Sequence, residues 1–210
     1  MRAPDSRIAV VGVLGFFAAA IVTGLVTPGY DVRREAISAL AAQDSPHAWL
    51  MIGGFALGAV GLVSGAVLLW RGVPQRAGRV AGGMVAVAGA LIGVAGLARE
   101  DCSDQLASCK DFGEAVEASG SYWLHQYASL LAFLLLIVSS FVLARGLRRS
   151  GRSGLATASR VAGVLCLAGV ALLVVAPSFV VDSYGVVQRL LIAGLFGWPV
   201  AAGILVSRRS

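Results

Sequence analysis

Several residue types are scarce or missing in this chain of 210 residues, and each absence narrows what the protein can be. There is no asparagine, which excludes asparagine-linked glycosylation, and a single lysine stands beside 16 arginines. Only 13% of the residues are charged, whereas 58% are hydrophobic. A soluble fold of this size needs more polar surface than such a composition supplies. The composition therefore predicts a membrane protein.

The hydrophobic residues are gathered into six long apolar stretches. At about 1.5 Å of rise per residue, a helix over each stretch would cross about 30 Å of hydrocarbon. Backbone groups must be satisfied inside lipid, and the alternating pattern of a membrane barrel is absent, so the stretches are predicted to be helices. The predicted fold class is an all-α bundle, a single six-helix transmembrane domain over residues 1–210, with spans at about 8–26, 48–70, 79–98, 122–145, 159–181 and 186–206.

The connectors between these stretches carry nearly all the charge, and they carry it unequally. Twelve of the 17 arginine and lysine residues lie at the two termini and in the second and fourth connectors. By the positive-inside rule, both termini are predicted to be cytoplasmic in a bacterial plasma membrane, with the acidic connectors outside. A cleaved signal peptide is the alternative for the first stretch, but its length of about 19 residues favours an anchor. The arginines do not follow one helix face, so no nucleic-acid partner is expected.

Small residues recur every three or four positions in two neighbouring stretches: Gly54, Gly58, Gly61 and Gly65 in the second, and Gly82, Ala86, Ala90 and Gly93 in the third. Such ridges let helix backbones approach closely, so these helices are predicted to pack against each other or against a neighbour. The alternative is that glycine is simply common in membrane helices. Pro177 and Pro199 are predicted to kink the fifth and sixth helices.

Cysteines and histidines are too few to indicate a cofactor. Cys102 and Cys109 lie seven residues apart in a connector predicted to face an oxidising compartment, which favours a disulfide between them. A zinc site would need further ligands that no nearby residue supplies, so no metal is predicted. His47 and His125 could in principle hold a haem, but nothing supports the opposed placement that haem requires. No cofactor is therefore expected.

Polar side chains gather at the predicted outer boundary, whereas the middle of every stretch lacks charge. This argues against a proton relay or an ion-coupled transporter. The boundary residues could converge on one outward-facing cleft; they are Asp31, Ser38, His125, Gln126, Asp182, Gln188 and Arg189. They supply the candidates for ligand binding and catalysis.

Two of these candidates each have two interpretations. Arg189 could form a salt bridge with Asp182 that pins the fifth and sixth helices, or it could contact a lipid phosphate or another anion. His125 could act as a general base beside Asp31 or Ser38, or it could simply cap or hydrogen-bond. The sequence leaves both questions open, with His125 and Asp31 as the candidate catalytic residues.

Two segments of the chain resemble a known family. The residues PGYDVRREAISAL in the first outer connector and GVVQRLLIAGLFGW at the start of the last stretch are similar to those of a bacterial and archaeal membrane family, the domain of unknown function 998. The resemblance extends over most of the chain. It implies no activity, but it implies that the family-typical outer positions are Tyr30, Asp31, Ile37, Ser38, His125, Gln188 and Arg189. The two-cysteine insertion departs from the shorter family loop.

Three functions follow from these observations. The favoured one is a non-catalytic membrane protein whose outward cleft binds a lipid headgroup or a partner protein, with Tyr30, Ser38, Asp182, Gln188 and Arg189 as the ligand-binding residues. The expected partners are membrane lipids and either another membrane protein or a second copy of the chain. The alternatives are an outward-facing membrane enzyme acting on a lipid or cell-envelope substrate, and a small-solute transporter or channel.

Overall fold

The computed structural model describes residues 4–73, 75–102 and 119–207, and in these ranges its regular secondary structure is entirely helical. The long helices are α1 (Pro4–Val26), α2 (Ala48–Gly72), α3 (Arg76–Leu97), α4 (Gly120–Arg149), α5 (Ser153–Val175) and α6 (Tyr184–Ser207). Two short 3-10 helices lie in connectors, at Ser38–Ala41 and Pro177–Phe179. The predicted all-α fold class is confirmed.

All six long helices have the length and apolar composition needed to cross a membrane. Most of them begin and end within a few residues of the predicted spans. The fifth is the exception, because it ends at Val175 rather than near residue 181. Pro177 has no amide hydrogen and disfavours a helical conformation in the residue before it, so it ends α5. The predicted kink of α5 is therefore wrong, whereas Pro199 does lie inside α6.

Three connectors meet at one end of the bundle, which we call the acidic end. They contain residues 27–47, 98–102 and 176–183, and they hold six carboxylates in the described ranges. Backbone hydrogen bonds join the first connector to the connector that follows α3 and to the first turn of α6. The amide of Gln43 donates to the carbonyl oxygen of Glu100 at 2.9 Å, and the amide of Val186 donates to that of Arg33 at 3.3 Å.

Helix α2 lies at the centre of the bundle and packs against α1, α3 and α6. A Cβ atom built on Gly61 would lie 2.8 Å from the amide nitrogen of Val13 in α1. In α3, a Cβ atom on Gly82 would lie 3.0 Å from the carbonyl oxygen of Ala66 in α2. The prediction that these small residues serve close packing is confirmed: the ridge glycines of α3 meet α2, whereas those of α2 meet α1 and α6.

We expect Gly61→Ala to lower the free energy of unfolding by about 1–3 kcal/mol, because the added methyl group meets backbone that cannot move aside. Gly53→Ala is the matched control on the same helix, since nothing lies within 4 Å of a Cβ atom there. Thermal unfolding of the purified proteins in one detergent measures both. Equal unfolding temperatures for the two variants would show that the crossing of α1 and α2 is looser than described.

Candidate functional site

Arg189 fastens the start of α6 to the first connector. Its Nη1 atom donates hydrogen bonds to the carbonyl oxygens of Val32 at 2.8 Å, Glu35 at 3.0 Å and Gly185 at 2.8 Å. Its Nη2 atom donates to the hydroxyl of Tyr30. The guanidinium group is therefore engaged by backbone carbonyl groups, which need donors where the connector has no regular secondary structure.

Two neighbours in α6 complete this contact. The side-chain oxygen Oε1 of Gln188 accepts a hydrogen bond from the amide of Ile37 at 2.7 Å. A Cβ atom on Gly185 would lie only 2.4 Å from the carbonyl oxygen of Glu35, so a larger residue cannot be accommodated without moving the connector. We call Gly185, Gln188 and Arg189, together with the backbone they hold, the connector clamp.

Asp182 does not pair with Arg189. Its carboxylate lies 2.7 Å from the Nη2 atom of Arg34, and both side chains are largely exposed. The predicted salt bridge between Arg189 and Asp182 is therefore wrong, because carbonyl dipoles of the first connector take the place of the carboxylate. What Arg189 pins is that connector against α6, not α5 against α6. The exposed pair of Arg34 and Asp182 contributes little to stability.

Asp31 and Tyr30 have local partners. The carboxylate of Asp31 accepts a hydrogen bond from the amide of Arg33 at 2.9 Å, which lowers the pKa of Asp31 from its ordinary value. Asp31 therefore stabilises the fold above its ordinary pKa, and that contribution is lost as the pH falls through the lowered value. Burial raises the pKa of Tyr30, although Arg189 opposes the shift. The protonated phenol donates to the carbonyl oxygen of Ala36 at 2.9 Å.

His125, in the second turn of α4, is buried with 4% of its surface exposed. Its Nδ1 atom lies 2.7 Å from the carbonyl oxygen of Ala95 and 2.9 Å from that of Ala98, at the end of α3. Both partners are acceptors, so we assign the proton to Nδ1. The other ring nitrogen, Nε2, lies 3.6 Å from the Oε1 atom of Glu100. The histidine thus hydrogen-bonds to carbonyl groups that the last turn of a helix leaves unpaired.

A cavity of about 420 Å³ lies beside His125, bounded mainly by α4, α5 and α6. Its polar lining includes four residues that the sequence marked as site candidates, Ser38, His125, Gln126 and Gln188. Glu100 also lines it, and the Nε2 atom of Gln126 donates to the carboxylate of Glu100 at 3.2 Å. The structure therefore brings part of the predicted cleft together. Arg189 belongs to the connector clamp and Tyr30 contacts it, whereas Asp182 lies on the surface.

Away from the acidic end, the cavity is lined by aromatic and aliphatic side chains. Phe133 and Phe196 lie 13 and 12 residues into their helices, a rise of about 18–20 Å. The ring of Phe196 lies 5.1 Å from that of Phe16, centroid to centroid. The rings of Phe55 and His125 are nearly perpendicular, with 6.1 Å between their centroids, at the boundary between the polar and apolar parts. The two kinds of lining are therefore separated along the bundle axis.

Three lining side chains also lie on the outside of the bundle. Trp123, Tyr127 and Val174 are 49%, 64% and 64% exposed. The rings of Trp123 and Tyr127 stack at 5.7 Å. Trp123 and Tyr127 therefore border the cavity while they are exposed on the side of the bundle. The cavity thus reaches the apolar side of the bundle.

Glu100 is a charged residue of the cavity lining that sequence reasoning did not select as a site residue. The feature of the sequence that could have indicated Glu100 is its position relative to the helix ends. Glu100 comes three residues after the end of α3, and His125 comes five residues after the start of the next described helix, α4. The end of α3 and the start of α4 are neighbours at the acidic end, and this brings the two side chains together. A search for sequence motifs does not reveal such a contact.

Cys109 lies outside the described residues, so the pairing of Cys102 with Cys109 stays a prediction. Across residues 4–73, 75–102 and 119–207, no group of three or more histidine, cysteine or acidic side chains is placed to hold a metal ion.

Six membrane-length helices with a partly polar cavity at one end define a polytopic α-helical membrane protein. The chain belongs to the family whose model is described as "Protein of unknown function (DUF998)", which matches residues 10–205. The family resemblance of the two segments is therefore confirmed. Comparisons with curated proteins and with solved structures returned no match. The family description carries no activity, so the function has to be argued from the site.

We expect Arg189→Lys to lower the free energy of unfolding by about 2 kcal/mol, because lysine keeps the charge but cannot make the same fan of hydrogen bonds. Asp182→Asn should change it by less than about 0.5 kcal/mol, since the carboxylate belongs to an exposed pair. Thermal unfolding in detergent compares the two variants. A larger loss of unfolding free energy in Asp182→Asn than in Arg189→Lys would indicate that Asp182 does form a salt bridge with Arg189.

Proposed function

We propose that this protein binds an amphipathic, lipid-like molecule in the cavity between α4, α5 and α6. The observation that carries the proposal is the separation of the lining into a polar end and an apolar end. The polar group of the ligand would meet Ser38, Glu100, His125 and Gln188, and its hydrocarbon part would lie against the deeper phenylalanines. A volume of about 420 Å³ falls within the range of about 300–1,000 Å³ typical of small-molecule sites.

The exposed cavity residues support the same proposal. Trp123, Tyr127 and Val174 both line the cavity and lie on the side of the bundle. In a bilayer that side would contact acyl chains, so a lipid could reach the cavity without crossing water. A water-soluble ligand would have no such advantage.

The proposal gives Arg189 a supporting role in place of direct ligand contact. The connector clamp holds the segment that contains Ala36, Ile37 and Ser38, and these residues line the cavity. Arg189 would thus shape the site through the backbone it binds. Of the ligand-binding residues predicted from the sequence, Ser38 and Gln188 keep that role in the proposal.

We further propose that the protein lies in a bacterial plasma membrane with its acidic end outside. The support is the charge distribution, because 12 of the 17 basic residues lie at the termini and in the second and fourth connectors. The cavity would then open near the outer leaflet, and its ligand would come from there.

The test of binding is to fill the cavity. We expect Ser129→Trp to reduce the amount of amphipathic molecule that copurifies with the protein by about tenfold or more, because the ring would occupy the cavity beside His125. Leu131→Trp is the matched control, since Leu131 is 49% exposed on the same helix and is not among the described lining residues. Native mass spectrometry with lipid extraction measures both variants. Equal lipid retention in Ser129→Trp and the wild type would refute the proposed site.

A second candidate, a membrane enzyme, is favoured by one observation. The Nδ1 atom of His125 is held by two carbonyl oxygens, which orients Nε2 toward Glu100, and a positioned imidazole can transfer protons. Glu100 takes the place that the sequence gave to Asp31, whose described contacts lie in its own connector.

If the protein is an enzyme, His125→Ala should abolish conversion of the copurified molecule by the protein in proteoliposomes, because no proton carrier would remain at that position. Mass spectrometry of the extracted lipids follows the conversion. The unfolding temperature must stay close to that of the wild type for the result to count. Full conversion by a folded His125→Ala variant would exclude the histidine as base.

A further inference from the structure

We infer that the first connector closes the cavity toward water, and that Arg99 fixes the part of this connector that the connector clamp does not reach. We call residues 32–43 of the connector the strap. The inference deepens the proposed function and rests on it, because it gives the route of the ligand, which would exchange through the bilayer. It also makes Arg99 a positioning residue, although Arg99 is not among the described lining residues of the cavity.

The beginning of the strap is held by α6. Arg189 and Gln188 hydrogen-bond to the backbone of residues 32–37, as part of the connector clamp. Residues 36–38 line the cavity at its polar end. The part of the strap that borders the cavity is therefore tied to the first turns of α6.

The other end of the strap is held by the residues that follow α3. Arg99 donates from Nε to the carbonyl oxygen of Ala41 at 3.0 Å and from Nη2 to that of Ala42 at 2.7 Å. Carbonyl groups at the end of a helix lack partners within it, so they need donors from elsewhere. The amide of Gln43 donates to the carbonyl oxygen of Glu100 at 2.9 Å. Three hydrogen bonds thus join this end of the strap to the residues after α3.

Between these two sets of contacts, the strap is packed into the bundle. Residues 37–42 are all buried, and the side chains of Ile37 and Leu40 belong to the main hydrophobic core. Water that entered the cavity from the acidic end would have to displace this buried segment. Because both ends are hydrogen-bonded, the displacement requires release from Arg99 or from the connector clamp.

The exposed part of the cavity lining lies on the side of the bundle. Four lining residues are 40–64% exposed, and they belong to α4 and α5: Trp123, Tyr127, Leu130 and Val174. The strap residues Ile37 and Ser38, which also line the cavity, are buried. The lining is therefore exposed where acyl chains would surround the helices and buried where the strap crosses the acidic end.

The experiment compares two thiol reagents at a cysteine placed in the cavity, Ser129→Cys, in the full-length protein in nanodiscs. One reagent is a trimethylammonium-bearing methanethiosulfonate, which stays in water, and the other is the lipid-soluble pyrene maleimide. Arg33→Cys is the reference for water, since Arg33 is largely exposed on the strap. Leu131→Cys is the reference for lipid, since Leu131 is exposed on the side of α4. Peptide mass spectrometry locates each label, so the native cysteines can remain.

We expect the charged reagent to modify Ser129→Cys at least about tenfold more slowly than Arg33→Cys, because it can enter only while the strap is open. The lipid-soluble reagent should modify Ser129→Cys about as fast as Leu131→Cys. Equal rates of the charged reagent at Ser129→Cys and Arg33→Cys would reveal an aqueous opening and overturn the inference. This comparison does not require any change at Arg99.

Arg99→Met tests the anchor of the strap. It removes both side-chain hydrogen bonds, so the charged reagent should modify Ser129→Cys about tenfold faster, while the rate of the lipid-soluble reagent stays within about twofold. Arg99→Lys can keep one of the bonds, and its rate should lie between the two. Arg34→Met is the matched control, because Arg34 lies on the strap but pairs with the exposed carboxylate of Asp182.

General loosening of the fold would raise the rates of both reagents together, so a selective rise identifies the strap. If neither Arg99 variant changes the rate of the charged reagent while the protein stays folded, Arg99 is not the anchor and that part of the inference is overturned.

Failure of this inference can be distinguished from failure of the proposed function. Fast modification by the charged reagent, together with lipid retention that Ser129→Trp abolishes, overturns the closed strap and leaves the proposed site in place. If Ser129→Trp leaves lipid retention unchanged, the cavity is not the lipid site. The route inferred for its ligand then fails as well, whatever the labelling rates.

Discussion

The shape of the acidic end depends on hydrogen bonds from Arg189 to backbone carbonyl oxygens. A connector of about twenty residues between α1 and α2 cannot satisfy all its own polar groups, and near a bilayer water is not a dependable partner. The guanidinium supplies several donors from one rigid fork, which lysine cannot do. Gln188 adds a bond to the same segment, and Gly185 leaves room for it. This contact holds residues 36–38, which line the cavity at the acidic end.

The same solution recurs at two other places on this end. Arg99 donates to carbonyl groups at the end of the first 3-10 helix, and His125 donates to those at the end of α3. Three basic side chains are therefore used to complete backbone hydrogen bonding. Of the three, Arg189 is the one for which the sequence offered contact with an anion. Among the described residues that line the cavity, Glu100 is the one with a carboxylate.

Helix number, helix type and close packing of α2 with α3 could be predicted because each depends on patterns within a single stretch. Apolar length and glycine spacing are local properties. The partners of Arg189 could not be predicted, because a connector without periodicity must fold back over α6 before its carbonyl groups become available. Sequence proximity favoured Asp182 for that reason. Glu100 was missed on similar grounds, since it meets His125 only when the ends of α3 and α4 come together.

Trp123, Tyr127 and Val174 are exposed on the side of the bundle, so occupancy of the cavity would depend on the surrounding lipids. A molecule that enters from the side of the bundle exchanges with a two-dimensional lipid phase, and its concentration in water is irrelevant to that exchange. The governing quantity is its mole fraction among the surrounding lipids. A minor lipid of modest intrinsic affinity can then fill the cavity when it is enriched locally, and be released when its neighbours dilute it. The cavity would report membrane composition as well as bind one of its components.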